Sequence, residues 1–487
     1  MYLYGSVEKV LVPSRVLKAR EHYGERLLSE RAQNCRNTRC IAARSRRRGE
    51  QSEGQRVSER SRRAFLATGT ALATVGLAGC SGGGGGGGGS AGESGDEPIT
   101  IGVLEDRSGN FALVGDPKHK ATLLAIEEIN EAGGINGRQI EVFDPDPQSD
   151  NQRYKELTER AIQQEDVDVL WAGYSSATRE TIRPTIDRED QLYFYTTQYE
   201  GGVCDHNVFA VGPTARQQLG AVLPYLVDEY GTDIYTIAAD YNFGQLSADW
   251  VKVLASENGA NVLDEEFIPL SETDFGSVIN RIQEADPDFV MSMLVGANHT
   301  AFYEQKASAG LEVPIGTSTA MAQGYEHRRL DAPAMSNIFA GVNYMEEIPT
   351  TRNTDDGGFV DRYFEMWPDA PYLNEEAQTN YFSVYMYKQA VEQAGTTDQE
   401  EVKAALESGI TYGAPEAPEG EEIALDGATH HVDHHMWVMR CDDQHNVEAV
   451  ENRVIPEQFL SGTVGCDLTQ EDEETQYTPQ DYYEEAG

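Results

Sequence analysis

The sequence is short of positive charge. Its 487 residues hold 38 Lys and Arg against 82 Asp and Glu, a net charge of −44. A surface of that sign excludes nucleic acid as a partner, because phosphates need cations opposite them. It also excludes electrostatic docking on anionic lipid. Cysteine is scarce too, at positions 35, 40, 80, 204, 441 and 466. Beyond residue 90 no stretch approaches the roughly 20 apolar residues that a spanning helix needs. The catalytic signatures G-x-S-x-G, H-E-x-x-H and G-x-x-x-x-G-K-[ST] are missing. The eight glycines at 82–89 are not a phosphate loop, since no helix carrying a Lys follows them. These absences predict a binding protein rather than an enzyme, with no cofactor and no metal.

The positive charge that does exist is concentrated at the start. Residues 1–79 carry 16 basic and 7 acidic residues, leaving 22 and 75 after them, a net −53. Such self-repulsion opposes a compact state unless salt screens it, and at molar salt the screening length falls to about 3 Å. We read the acidity as adaptation to a very salty environment. Residues 61–79 read SRRAFLATGTALATVGLAG and are followed by Cys80 and the glycine run. The apolar part, 64–78, is too short to span a membrane stably. The S-R-R-x-F-L and L-A-G-C patterns resemble a twin-arginine export signal joined to a lipoprotein box. That resemblance implies cleavage before Cys80, lipidation of its thiol, and a flexible tether over 80–96. Residues 1–60 lack apolar periodicity and read as an over-extended or unstructured start. Initiation at Val57 would give a leader of ordinary length. After Cys80 only Cys204, Cys441 and Cys466 remain. One disulfide is possible, and Cys441–Cys466 is the expected pair because both lie near the C-terminus.

From residue 97 short apolar runs alternate with amphipathic helices. Strands are expected at 100–106, 167–173 and 191–197, and in a second series at 233–239, 261–268, 288–294 and 313–318. Helices are expected between them, as in KATLLAIEEINEAGG at 120–134. This alternation predicts an α/β fold of two Rossmann-like lobes with parallel sheets. Helices follow at about 357–367, 374–394 and 398–408, then an antiparallel stretch around EIALDGATHHVDHHMWVMRCD. The acidic segment beyond about residue 467 is low in aliphatics and reads as a disordered tail.

Open parallel sheets bind ligands beyond the carboxyl ends of their strands. Three such ends carry aromatic and hydroxyl side chains: Tyr174, Ser175 and Ser176; Tyr195, Thr196 and Thr197; and Asp240 with Tyr241. Taken alone, the first serines fit plain helix capping. The recurrence at three strand ends suits a small, planar, polar ligand. The His430, His431, Asp433, His434 and His435 group could suggest metal. Alternation along a strand puts only two of the histidines on each side, so a strand-surface role is expected.

The segments GYSSATRETIRPTI, YFYTTQYEGGVCDHNVFAVGPTARQQ, AADYNFG, EEFIPLSETDFGSVINRIQEADPDFVMS and APEGEEIALDGATHH resemble the solute-binding proteins of ABC transporters. The resemblance is to their branched-chain-amino-acid type, and within it to the urea and short-chain-amide binders and the related amide sensor. It covers about 97–455. It implies a type I periplasmic-binding-protein fold with three crossovers, near 213–217, 343–347 and 427–431. Lobe 1 would comprise 97–214 and 346–428, and lobe 2 215–345 and 429–466. It places the ligand at Tyr174, Ser176, Tyr195, Thr197 and Tyr241, and an importer's permease as partner. Within the class an amino-acid ligand is the rival. It would need a carboxylate for its ammonium group, and Asp240 and Glu200 are the candidates. A non-transport amide sensor and an extracellular amidase are the alternatives of other classes.

Overall fold

A computed structural model describes residues 97–486. The expected leader, Cys80 and the glycine tether lie outside the described residues. The first sheet is built from β1 (Ile99–Leu104), β2 (Ile140–Phe143), β3 (Val169–Ala172), β4 (Tyr193–Tyr195) and β6 (Val208–Ala210), in the order β2-β1-β3-β4-β6 and parallel throughout. A short strand, β5 (Val203–Asp205), stands apart from it. The connecting helices are α1 (Ala112–Glu131), α2 (Asn151–Gln163) and α3 (Ser176–Glu189). Every residue of β3 and β4 is buried, as helices on both faces of a parallel sheet require.

The second sheet follows. Its helices are α4 (Ala215–Tyr230), α5 (Asn242–Glu257), α6 (Gly276–Ala285) and α7 (Ala297–Ser308), with a short turn α8 (Glu326–Arg329). Its strands β7 (Asp233–Ala239), β8 (Asn261–Ile268), β9 (Phe289–Met293), β10 (Ile315–Thr317) and β11 (Ile338–Val342) run parallel in the order β8-β7-β9-β10-β11. The chain then returns to the first lobe through α9 (Thr351–Thr354), α10 (Phe359–Met366), α11 (Glu375–Ala394) and α12 (Gln399–Glu407), with α11 packed along α1. A small antiparallel pair, β12 (Thr411–Tyr412) and β13 (Ile423–Asp426), leads to β14 (His431–Cys441).

β14 belongs to both lobes. Its first residues pair with β13 and its last five with β11, antiparallel in each case. β15 (Val447–Ile455) returns alongside it. The lobe-2 sheet is therefore mixed, with an antiparallel edge beside the expected parallel strands.

Three expectations from the sequence need correction. Cys466 is bonded to Cys204, not to Cys441, which is buried and free. The β14–β15 hairpin explains why. The 11 residues of the strand, at a rise of about 3.4 Å per residue, carry Cys441 away from the strand's start. The chain then comes back, so that Cys466 lies beside the Ala428 carbonyl at 3.8 Å. The acidic tail is also not disordered. Its strand β16 (Glu474–Gln476) pairs antiparallel with β5, and two short helical turns, Pro479–Asp481 and Glu484–Ala486, follow. The histidines differ as well. All four are buried rather than on a strand surface. His430 stacks on Phe209 at 3.9 Å, His431 shares a 2.5 Å hydrogen bond with the Tyr199 hydroxyl, and His434 meets Glu416 at 2.9 Å. Burial pulls His431 down to about 4, so it packs as a neutral ring.

Candidate functional site

At the end of β3 the chain turns through Gly173, whose φ of 88° lies in the region that favours glycine. Ser175 then caps α3, its Oγ accepting the Thr178 N–H at 3.1 Å. It satisfies a donor that every helix start leaves open. Ser176 turns the other way and donates to Glu200 Oε2 at 2.5 Å. After β4, the Tyr195 hydroxyl donates to the Tyr174 carbonyl at 2.8 Å and ties the two loops together. Phe111, which precedes α1, packs on the Tyr174 ring with centroids 4.6 Å apart.

Thr196 and Thr197 do not join Ser176 through their hydroxyls. Thr196 donates to Asn380 of α11. Thr197 accepts from Lys118 Nζ at 2.9 Å and donates to the Gly173 carbonyl at 3.3 Å. Lys118 in turn pairs with Glu105 at 3.0 Å, both fully buried. These two threonines brace the loop from behind.

Glu200 is the residue on which the strand ends converge. Its carboxylate receives Ser176, Arg179 Nη2 at 3.0 Å, Gln476 Nε2 at 2.8 Å and Asn242 Nδ2 at 3.2 Å. Burial pushes this carboxyl up, but the Arg179 charge and the bonds from Ser176 and Gln476 pull it further down, so Glu200 stays ionised. Arg179, itself fully buried, lies 5.0 Å from the Tyr195 ring centroid and 4.7 Å from that of Tyr199. It stands in the first turn of α3, where a cation opposes the helix dipole. Glu200 and the two ring faces offset that cost.

The second lobe contributes the start of α5. Tyr241 precedes the helix in extended conformation, and Gly244 follows, where a Cβ would stand 2.0 Å from the Ala239 carbonyl oxygen. Only glycine lets the helix begin this close to β7. Burial raises the Tyr241 hydroxyl, with the Glu200 and Tyr195 charges adding to it. Tyr174 is likewise raised, by burial first and then by Glu376, Tyr241, Tyr195 and Glu326. The tyrosines therefore remain neutral hydrogen-bonding groups.

From α11, Glu376 accepts Gln323 Nε2 of the second lobe at 2.7 Å. Its Oε2 is buried with no hydrogen-bond partner among the described residues. Burial pushes this carboxyl up to about 7. The Asn242–Glu200 and Gln323–Glu376 bonds each join one lobe to the other, so the lobes meet directly around Tyr174.

Of the predicted residues, Tyr195 bonds the Tyr174 carbonyl, Ser176 bonds Glu200, and the Tyr241 ring lies 6.1 Å from that of Phe243. Ser175, Thr196 and Thr197 serve the scaffold through their side chains. Sequence reasoning missed Arg179, Gln476, Glu376, Asn242, Gln323 and Phe111, and weighed Glu200 only as an ammonium partner. Arg179 was the legible one, since it stands one turn after Ser175 on the same helix face.

Two helix-flanked sheets joined by three connections, with polar and aromatic groups where the lobes meet, define a type I periplasmic-binding-protein fold. The chain belongs to the periplasmic binding protein family, whose match spans residues 98–446. Its relatives include Leu/Ile/Val-binding protein homolog 7 of Brucella melitensis, 24% identical over 63% of this chain and 80% of the relative. Homolog 4 of Brucella abortus is 26% identical over 54% of this chain and 67% of the relative. Among solved structures, a leucine-, isoleucine-, valine-, threonine- and alanine-binding protein from Brucella ovis in closed conformation superposes with a TM-score of 0.67. It is 19% identical and is matched over 74% of this chain and 95% of its own. A solute-binding protein of Rhodopseudomonas palustris, in complex with 3,4-dihydroxybenzoic acid, gives 0.63 at 17% identity, over 74% and 98%. These relatives are substrate-binding proteins.

Proposed function

We propose that this protein captures a small neutral polar solute, urea or a short-chain amide, between its lobes and delivers it to an ABC importer. One observation carries the reading. The two cations beside the first two strand ends already have partners: Arg179 is held by Glu200, and Lys118 by Glu105; at the third, the Asp240 carboxylate accepts the Gln245 amide at 3.0 Å. What the strand ends present is the Ser176 hydroxyl, tyrosine hydroxyls and aromatic faces. Those groups hydrogen-bond and stack on a planar amide without needing a counter-charge. Ser176 and the tyrosines 174, 195 and 241 are the binding residues in this reading, and closure of the lobes buries the ligand.

A second reading is an amino-acid receptor, favoured by the unpartnered buried oxygen of Glu376 and by the names of the Brucella relatives. An ammonium group placed there would hold Glu376 ionised. Titration calorimetry at molar salt with urea, acetamide, propionamide and leucine separates the two. Leucine binding with no response to any amide refutes the amide reading.

The export and anchoring signals support an extracytoplasmic position. In our reading the twin-arginine leader carries the folded chain out, and the lipid on Cys80 holds it at the outer face of the cytoplasmic membrane. The −53 charge of the remainder then faces salt rather than cytoplasm.

A further inference from the structure

The segment after Cys466 lies beyond the family match, which ends at residue 446, yet it reaches the site. It is fastened to both lobes. On the first lobe, Cys466 is bonded to Cys204 of β5, and β16 pairs with β5 in the register Thr475 to Cys204 and Gln476 to Val203. The Tyr477 N–H donates to the Gly202 carbonyl at 2.7 Å. A Cβ on Gly202 would sit 1.9 Å from the Tyr477 carbonyl oxygen, so the strap's backbone occupies the space that a side chain would fill. On the second lobe, Gln480 Nε2 donates to Asp249 of α5 at 2.7 Å, and the Tyr483 ring meets Trp250 edge-on at 5.8 Å. Ala486 is buried.

At the end of the β16 pairing stands Gln476. Its Nε2 donates to Glu200 Oε1 at 2.8 Å and to the Gly201 carbonyl at 3.1 Å, while its Oε1 accepts Arg179 Nη2 at 3.3 Å. One amide thus serves both halves of the ion pair that holds Ser176. α5, to which the strap is fastened, also supplies Tyr241 and Asn242 at its start, and its Trp250 donates to the Glu200 carbonyl at 2.9 Å.

We propose that residues 466–486 form an inter-lobe strap that limits how far the lobes open, and that Gln476 is a positioning residue for the Glu200–Ser176 contact. A lobe swinging on its connections carries α5 away from β5. The strap spans that gap, so wide opening requires either Gln480 and Tyr483 or the β16–β5 pairing to let go. The role assigned to Gln476 rests on the amide reading above; the strap does not.

Two arms test this in the full-length chain at molar salt. In Gln480→Ala/Tyr483→Ala the disulfide and β16 pairing stay. Small-angle scattering of the ligand-free protein then shows a larger radius of gyration than wild type. Hydrogen exchange at the first turn of α5 quickens on the order of tenfold. An unchanged radius and unchanged exchange overturn the strap. In Gln476→Glu the added carboxylate can no longer donate to Glu200 and repels it. Acetamide binding, read by calorimetry, falls at about pH 8 and returns at about pH 4, below the ordinary glutamate value, where the added carboxyl is protonated and donates again. Binding untouched at both pH values, or lost equally at both, overturns the positioning role. A wild-type protein that binds neither urea nor acetamide refutes the solute class and with it the role of Gln476, and the scattering and exchange arm still decides the strap.

Discussion

Replacing Arg179 with Met removes the positive charge at the centre of the site while keeping most of its volume. The structure sets the size of the effect. Arg179 and Glu200 are both buried, and the ion pair between them is 3.0 Å long. Without the guanidinium, Glu200 keeps its bonds from Ser176, Gln476 and Asn242 but loses its counter-charge. Breaking a buried pair on one side costs about 3–5 kcal/mol, most of it the penalty of the charge left behind. The contacts to the Tyr195 and Tyr199 rings add about 1 kcal/mol. Relief of the unfavourable dipole interaction returns less than about 1 kcal/mol. With about 2–4 °C of melting temperature per kcal/mol for a lobe of this size, Arg179→Met should melt on the order of 10 °C below wild type. Differential scanning calorimetry at molar salt is the assay. Urea is unsuitable as denaturant because it is a candidate ligand. Adding Glu200→Gln to Arg179→Met removes the orphaned charge, so the double variant should recover much of the loss. A fall under about 2 °C for the single variant, or strictly additive losses in the double, would refute the ion-pair argument.

Three further outcomes are expected. Cys204→Ser/Cys466→Ser opens a loop with a sequence separation of 262, for which chain entropy gives about 5–6 kcal/mol and measured bridges more often about 2–4. Its thermal midpoint should fall, and peptide mapping of the wild type should find Cys441 as a free thiol. Glu376 and Glu457 are raised by burial from 4.5 to about 7. Because the folded values exceed the unfolded one, their contribution is complete below pH 4.5 and is lost as pH rises to about 7. Glu376→Gln should flatten that decline in a melting series against pH, whereas a curve parallel to wild type would contradict it. Finally, Cys80→Ser should release the protein from the membrane fraction into the medium, read by immunoblot of the two fractions. Retention at the membrane would exclude the lipid anchor.

The alternation of strands and helices was legible because each amphipathic segment states its own period. Strands β7 and β8 fall where the pattern puts them, and the long helix α11 starts and ends within one residue of its expected bounds. β5 and β6 were not legible: each is three residues long, too short to show alternation.

By itself the sequence determined the class of protein. The Rossmann-like periodicity, the aromatic and hydroxyl residues after three strands, and the S-R-R-x-F-L and L-A-G-C patterns up to Cys80 are local features, written within single segments. Tertiary structure alone decided which of those residues meet. Ser176 finds Glu200, 24 positions away, and Gln476, 276 positions from Glu200, completes the same cluster. The acidic tail looked disordered because its own composition cannot bury a core. It is ordered because its anchors, Cys204, Gly202 and Trp250, belong to segments more than two hundred residues earlier. Composition reports only what a segment can do alone, and folding supplies the partners.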